Sequence, residues 1–275
     1  MIKIVVFNGG LGNQMFQYAF FLQLKKKHPL DIFLFDIEQS QECHNGFELD
    51  RIFHIDTLKY ARNYRRIKRY CPQLLDKFHT IKQEHSLEYN KEIIEANHLL
   101  SRYTGFWQSE KYFLPIEQDV RESFSFNIEL LNDGTRTIAQ EIEGKETVSV
   151  HIRRGDYLTL SDFGVCAIDY YNHAMSFMSE RLNSPTFVFF SDDMDWVKEN
   201  ISCSNAIYVS CNHGADSWQD MYLMSQCKHN IIANSSFSWW GAWLNENPDK
   251  IIITPTRWFS YSPNYDIIPK GWVTL

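Results

Sequence analysis

The sequence predicts an α/β protein built from two Rossmann-like halves. Three observations carry this. A glycine turn, "NGGLGNQ", separates an apolar strand pattern from a helix pattern near the N-terminus. In the C-terminal half, short apolar runs alternate with helical runs, which argues for parallel strands with helices on both faces. Between them lies a composition dip, "LLNDGTRT", and the boundary is placed at 140/141.

The elements follow in order. Ile2 to Phe7 reads as a strand, residues 11–27 as a helix stopped at His28-Pro29, and "DIFLFD" as the next strand. The stretch 40–140 is polar and aromatic, with helical segments near 58–70 and 86–98 and no repeat. Past the boundary, strands are expected at 148–152, 186–190, 206–210, 230–233 and 250–254. Helices are expected at 169–183, 194–200, 216–227 and 236–246.

The global numbers exclude several classes. Hydrophobic residues make up 44%, so the chain is globular. A formal net charge of −7 argues against nucleic acid as a partner. The six cysteines form no CxxC pair and no metal-ligand spacing, which suits free thiols in a reducing compartment. Lys3 precedes only a short apolar run, so no signal peptide is expected, and no apolar run approaches the roughly 18 residues of a membrane span. The expected place is the cytoplasm.

Ligands of open parallel sheets bind beyond the carboxyl ends of the strands. Those ends carry His151, Arg153, Arg154 and Asp156 in "HIRRGDY", and Asp192 and Asp193 in "FFSDD". They also carry Asn212 and His213, then Asn234, Ser235 and Ser236 in "IIANSSFSWWGAWLNE". Arginines clamp phosphate, and a helix N-terminus offers N–H groups and a favourable dipole to an anion. Together they read as a diphosphate site.

Most of these residues have a second reading. A serine before a helix also serves as an N-cap. Asp193-Met194-Asp195 has the DxD form that holds a metal on a diphosphate. The arginine pair offers the same charge, and Asp195 falls in a first helical turn where acids suit the dipole, so no metal is expected. Asp192 and Asp193 then accept hydrogen bonds from a ribose or sugar. Asp220 suits the N1–H and N2–H groups of guanine, or is a solvated helix acid. Of Trp239, Trp240 and Trp243, two are expected in the core and one at a sugar. "GGLGNQ" places Gly10 and Gly12 in a G-x-G-x-x-G pattern whose third position is Met15, with Asp36 as a ribose acid; Asn13 touches a ligand or caps the helix. "KYARNYRRIKRY" holds six basic residues, a solvated face or a patch for an anionic membrane or lipid-linked glycan.

"GGLGNQMFQYA", "HIRRGDY", "FFSDD" and "CKHNIIANSSFSWWGAWL" together resemble the bacterial alpha-1,2-fucosyltransferases of glycosyltransferase family 11, in that family's order across residues 8–244. The resemblance implies a GT-B architecture, with the two halves facing across a cleft. It implies metal-independent, inverting transfer of L-fucose from GDP-fucose to the 2-hydroxyl of a terminal galactose on a glycan, with no cofactor. The donor is expected mainly on residues 141–275, the acceptor on 1–140. Arg153 and Arg154 fall to the diphosphate, His151 and Asp220 to guanine, Asp192 and Asp193 to ribose or base, and Ser235 and Ser236 to phosphate oxygens. Gly10, Gly12 and Asn13 face the reacting sugar. Apart from the resemblance, Asp156 is the first candidate for a base, because it follows the arginines on the same loop. Two rivals are an NAD(P)-dependent oxidoreductase and a non-catalytic glycan-binding protein, the latter suggested by eight tryptophans and fourteen tyrosines.

Overall fold

The computed structural model describes residues 1–83, 88–159, 164–259 and 266–275. The chain forms two compact units: Met1–Asn127 with a short C-terminal stretch that includes Asp266, and the chain from Ile128 onward without that stretch.

The first unit contains β1 (Ile2–Val6), α1 (Leu11–Lys27), β2 (Ile32–Asp36), α2 (Glu38–Gln41), α3 (Leu49–Ile52), α4 (Leu58–Tyr70), β3 (His79–Lys82), α5 (Lys91–Glu95), β4 (Leu100–Thr104) and α6 (Glu117–Ser123). Its sheet runs β2-β1-β4-β3 with parallel pairings. β1 is central, and Ile4 to Val6 are buried. α1 buries Met15, Phe16, Ala19, Phe20 and Leu24 and ends in three lysines, which suit the negative end of its dipole.

β3 and β4 have no counterpart in the sequence reading. β4 is "LSRYT", a central strand made polar because Arg102 pairs with Asp36 at 2.6 Å and Lys3 reaches the Tyr103 hydroxyl at 3.3 Å. Of the helix expected at 86–98, the described part is α5 alone; residues 86 and 87 lie outside the described residues.

The second unit contains α7 (Asp133–Ile142), β5 (Thr147–Ile152), α8 (Ile168–Arg181), β6 (Thr186–Ser191), α9 (Met194–Asn200), β7 (Ala206–Val209), α10 (Trp218–Gln226), β8 (His229–Ile231), α11 (Ser236–Leu244), β9 (Ile252–Thr254) and β10 (Val273–Thr274). The composition dip leaves residues 128–140 with the first half. The structure places them with the second, because Ile142 of α7 joins the core of Val188, Phe190, Leu223 and Met224.

Its sheet runs β7-β6-β5-β8-β9-β10, all parallel. Counted along this unit, that is the 3-2-1-4-5-6 order of the Rossmann fold. β6 is apolar from Phe187 to Phe190 because both faces are covered: Phe187 and Phe189 pack with Tyr171 and Met178 of α8, Val188 and Phe190 with α10. The strand order changes sense between β5 and β8, which lie side by side and parallel, and ligands of such sheets bind at that switch point.

The three α11 tryptophans are all buried. Trp239 stacks on Trp243 with centroids 6.1 Å apart and meets Trp240 edge-on at 5.0 Å. None is left over for a sugar. They anchor the helix whose N-terminus lies at the switch point.

Candidate active site

β5 delivers Arg153 and Arg154 to the switch point. Adjacent residues of a strand point to opposite faces, so the backbone has to leave the strand for both to be used. It does so after Ile152, and the chain turns at Gly155, where an added Cβ would lie 2.6 Å from Asp192 Oδ2. Asp192, just beyond β6, holds the turn: its Oδ1 accepts the Arg154 N–H at 2.9 Å, and its Oδ2 pairs with Arg153 Nη1 at 3.0 Å. Arg153 Nη2 pairs with Asp156 Oδ1 at 2.8 Å. Arg154 Nε donates to Asp193 Oδ2 at 3.1 Å, and its guanidinium lies 3.7 Å from the ring centre of Trp196.

The sequence reading gives Asp192 and Asp193 to a ribose or base. In the structure both carboxylates hold the arginines, and Asp193 also caps α9 by accepting the Trp196 N–H at 3.3 Å. Three carboxylates thus face two guanidiniums, and the loop contributes directed donors more than net positive charge. Arg153 has both terminal nitrogens on carboxylates. The two of Arg154 have no ion pair among the described residues.

Across the switch point, β8 leads into α11. Ser235 occupies the N-cap position with extended backbone, but its hydroxyl makes no capping bond, and the first turn carries no acid. The helix start therefore keeps its positive end for an anion. Asn234, expected at the ligand, points inward instead: Nδ2 donates to the Gly164 and Trp258 carbonyls, both at 3.1 Å, and Oδ1 accepts from Cys166 Sγ. Tyr157 ties the two loops by donating to the Asn234 carbonyl at 3.3 Å, and burial pushes its phenol up to about 12.

Two buried titratable groups flank this edge. His151 is 6% exposed, and among the described residues its Nδ1 has no hydrogen-bond partner. Burial, then the Arg153 charge, holds it down at about 4, so it is neutral near pH 7. Asp220, at the start of α10, is raised to about 7 by burial. One of its oxygens accepts from Asn212 Nδ2 at 2.8 Å. Asn212 is fixed in that orientation because its Oδ1 accepts from Asn132 at 2.8 Å and Thr135 at 3.0 Å. A buried carboxyl and a buried neutral imidazole, each with hydrogen-bonding capacity to spare, suit a polar heterocycle.

In the first unit, Gly9 has φ 79°, which glycine alone adopts readily, and a Cβ there would lie 2.5 Å from Asn13 Nδ2. A Cβ at Gly10 would meet His44 at 2.9 Å, and Gly12 is buried in the first turn of α1. The glutamines of the motif are fasteners. Gln14 bonds the Gly9 and Gly46 carbonyls, and Gln17 bonds the Asn8 amide and the Gly105 carbonyl. Asn13 Oδ1 accepts Gln108 Nε2 at 2.7 Å. Asp36, the ribose acid of the oxidoreductase reading, is occupied by Arg102 and the Tyr64 hydroxyl, and Met15 is fully buried. That reading has lost its acid as well as its third glycine.

The edge of the second sheet thus unites His151, Arg153, Arg154, Asp156, Asp192, Asp193, Asn234, Ser235 and Ser236. Asp220 joins through the loop after β7. Sequence reasoning missed Tyr157, Trp196 and Gln108. The first two stand in or beside quoted motifs, where an aromatic near an arginine is the available signal. Among the described residues no group of three His, Cys, Asp or Glu side chains is placed to hold a metal ion.

A family model described as "Glycosyl transferase family 11" matches residues 1–275. An alpha-1,2-colitosyltransferase of Escherichia coli is 36% identical, covering 97% of this chain and 96% of its own. The O-antigen biosynthesis glycosyltransferase WbnK of Escherichia coli is 32% identical over 98% of each. The human galactoside alpha-(1,2)-fucosyltransferase 1 is 30% identical over 52% of this chain and 42% of its own length. The crystal structure of fucosyltransferase NodZ from Bradyrhizobium shares the fold, with TM-score 0.53 and 12% identity over 87% of this chain and 91% of its own. The motifs, the GT-B-like pair of Rossmann-like units and the full-length match lead to one assignment: the chain belongs to glycosyltransferase family 11.

Proposed function

We propose that this enzyme transfers L-fucose from GDP-β-L-fucose to the 2-hydroxyl of a terminal galactose on a glycan, with inversion at the anomeric carbon and without a metal or cofactor. The observation that carries the reading is the arginine turn clamped by Asp192 and Asp193 across the switch point from the uncapped start of α11. The diphosphate lies between Arg154 and the N-H groups and hydroxyls of Ser235 and Ser236. Guanine presents N1–H and N2–H to Asp220, and His151 lines the same edge. Gly10, Gly12 and Asn13 serve the sugar side.

The acceptor oxygen attacks C1 while the C1–O bond to the β-phosphate breaks, and GDP leaves with the bonding electron pair. Charge grows on the departing oxygen, and fixed donors aimed there contribute most to such a step. Asp156 takes the acceptor proton. Arg153, bound to Asp156 and Asp192, holds that carboxylate in place. Each carboxylate at the arginine turn already has a guanidinium, which favours a metal-free site.

One relative supports a second donor. Colitose is fucose without its 3-hydroxyl, and the 36% identical protein is an alpha-1,2-colitosyltransferase. A site that hydrogen-bonds the 3-hydroxyl rejects the deoxy sugar strongly, whereas a bare pocket does not. Incubating the protein with GDP-fucose or GDP-colitose, EDTA and galactose-terminated acceptors, then assigning linkage and anomeric configuration by NMR, tests the reading. It fails if neither donor is consumed, if the product is a β-glycoside or is linked elsewhere than at the 2-hydroxyl, or if Mn²⁺ is required. The expected compartment is the cytoplasm, where such nucleotide sugars are available; among the described residues no helix is long and apolar enough to cross a membrane.

A further inference from the structure

α4 is strongly two-sided. Ala61 and Tyr64 are buried against the sheet of the first unit. Arg62, Arg65, Arg66 and Arg69 stand at i, i+3, i+4 and i+7, one stripe along the opposite face, and all four are exposed. The other cations of the helix have acidic neighbours: Lys59 lies 3.9 Å from Asp56, and Lys68 pairs with Glu38. Among the described residues none of the four arginines has an ion-pair partner. That is unusual on a chain whose net charge is −7, where carboxylates are plentiful.

The stripe is rimmed by apolar and amphipathic groups. Leu58 is 52% exposed at the helix start and Tyr70 is 71% exposed at its end. Arg69 lies 5.4 Å from the Tyr70 ring centre. The arginines span about 10 Å along the axis, from the helical rise. An exposed helix face is convex and cannot enclose one small anion. It can lie along a plane of phosphates, with Leu58 and Tyr70 at the headgroup boundary. Clusters of four or more basic residues on an amphipathic helix have the chemistry of anionic-lipid binding.

We infer that the outward face of α4 docks this enzyme on an anionic phospholipid bilayer through Arg62, Arg65, Arg66 and Arg69. The inference is independent of the donor and the linkage proposed above, since these residues lie outside the transfer machinery.

The test is co-sedimentation of the full chain with phosphatidylcholine vesicles, with and without phosphatidylglycerol. Binding is expected on the doped vesicles alone and should weaken as salt rises. It should fall about fivefold per arginine replaced by glutamine. The fourfold lysine variant should keep most of it, since charge is retained. Unchanged melting temperature and unchanged GDP release with a soluble acceptor identify the loss as one of docking. Three outcomes of the vesicle assay overturn the inference. They are absence of binding to doped vesicles at low salt, binding indifferent to the fourfold glutamine change, and displacement by stoichiometric inorganic pyrophosphate. The last would make this a site for single phosphates. Equal affinity for duplex DNA would likewise replace lipid with nucleic acid.

Discussion

At the scale of single residues, the two arginines separate. Lysine keeps the charge of arginine but loses the planar fork. Arg154 keeps its terminal nitrogens clear of carboxylates, so Arg154→Lys should lower kcat by about 10²-fold or more, the scale of one lost oxyanion-type donor. The fall in kcat should exceed the rise in KM for the donor. Arg153→Lys should cost less, because Arg153 bridges Asp156 and Asp192. Steady-state kinetics that rank them the other way would move the leaving group to Arg153. Asp220 makes a pH prediction. Its folded-state value, about 7, lies above the ordinary 3.8. Guanine's N–H groups favour the ionised form, so GDP affinity should rise with pH through about 7, with proton release on binding. Asp220→Asn should weaken GDP and flatten that profile; a wild-type profile already flat from pH 5 to 8, read by calorimetry, would remove guanine from this carboxylate. His151 makes a pH prediction for stability, with the same sign. Its folded value, about 4, lies below the ordinary 6.5, so the unfolded chain takes up its proton first and stability falls as pH drops through that window.

Asn13 is the third case. Gln108 is 5% exposed and donates to Asn13 Oδ1, which leaves Asn13 Nδ2 as the group presented at the glycine turn. Gln108 is itself set by the loop after β4, where buried Trp107 has φ 56°, an outlier for a bulky residue. Gln83 Oε1 holds that loop by accepting the Phe106 and Trp107 amides at 3.1 and 2.7 Å. If Gln108 acts through Asn13, Gln108→Ala should lower kcat by about tenfold to a hundredfold, the cost of a misplaced contact. The double variant with Asn13→Ala should be no worse than Asn13→Ala alone. Additive losses in that cycle would assign Gln108 a separate role.

At the scale of elements, the placement of α11 sets the proposed anion site. α11 packs on α10 through Gly241, where a Cβ would lie 2.9 Å from Met224 Cβ and 3.1 Å from its sulfur. Helix propensity alone favours alanine over glycine by about 1 kcal/mol. Overpacking a rigid contact costs about 1–3 kcal/mol, so Gly241→Ala should lower the melting temperature despite its better propensity. GDP affinity should fall with it as the helix start shifts. A stabilised protein with normal GDP affinity would mean that the α10–α11 seam yields easily.

At the scale of the whole molecule, donor binding should be a property of the second unit. GDP at a hundredfold above its Kd stabilises the folded state by about 2.7 kcal/mol. In a thermal melt, GDP should raise the transition, while NAD and free galactose should not. Hydrogen exchange should find the protection on the loops after β5 and β8 and at the start of α11. A shift with NAD, or protection confined to the glycine turn, would return the protein to the rival classes.

What the sequence by itself determined is local and periodic. Five strands of the second unit, β5 to β9, are announced by short runs rich in apolar residues, as strands covered on both faces are, whereas β10 (Val273–Thr274) is too short to announce itself. The residue types at their ends are those proposed here to hold a phosphate, and four motifs in order announce the family. What only the tertiary structure decided is pairing across long separations. Whether Asp192 and Asp193 serve a sugar or hold arginines depends on a loop about forty residues upstream. β4 stayed illegible because its polar residues are matched by Asp36 and Lys3, far away in the chain. The arginine run of α4 was visible as charge, but its freedom from acidic partners was not. Strand period and motif order are properties of neighbours in sequence; the fate of a polar side chain depends on which distant partner satisfies it when water is excluded.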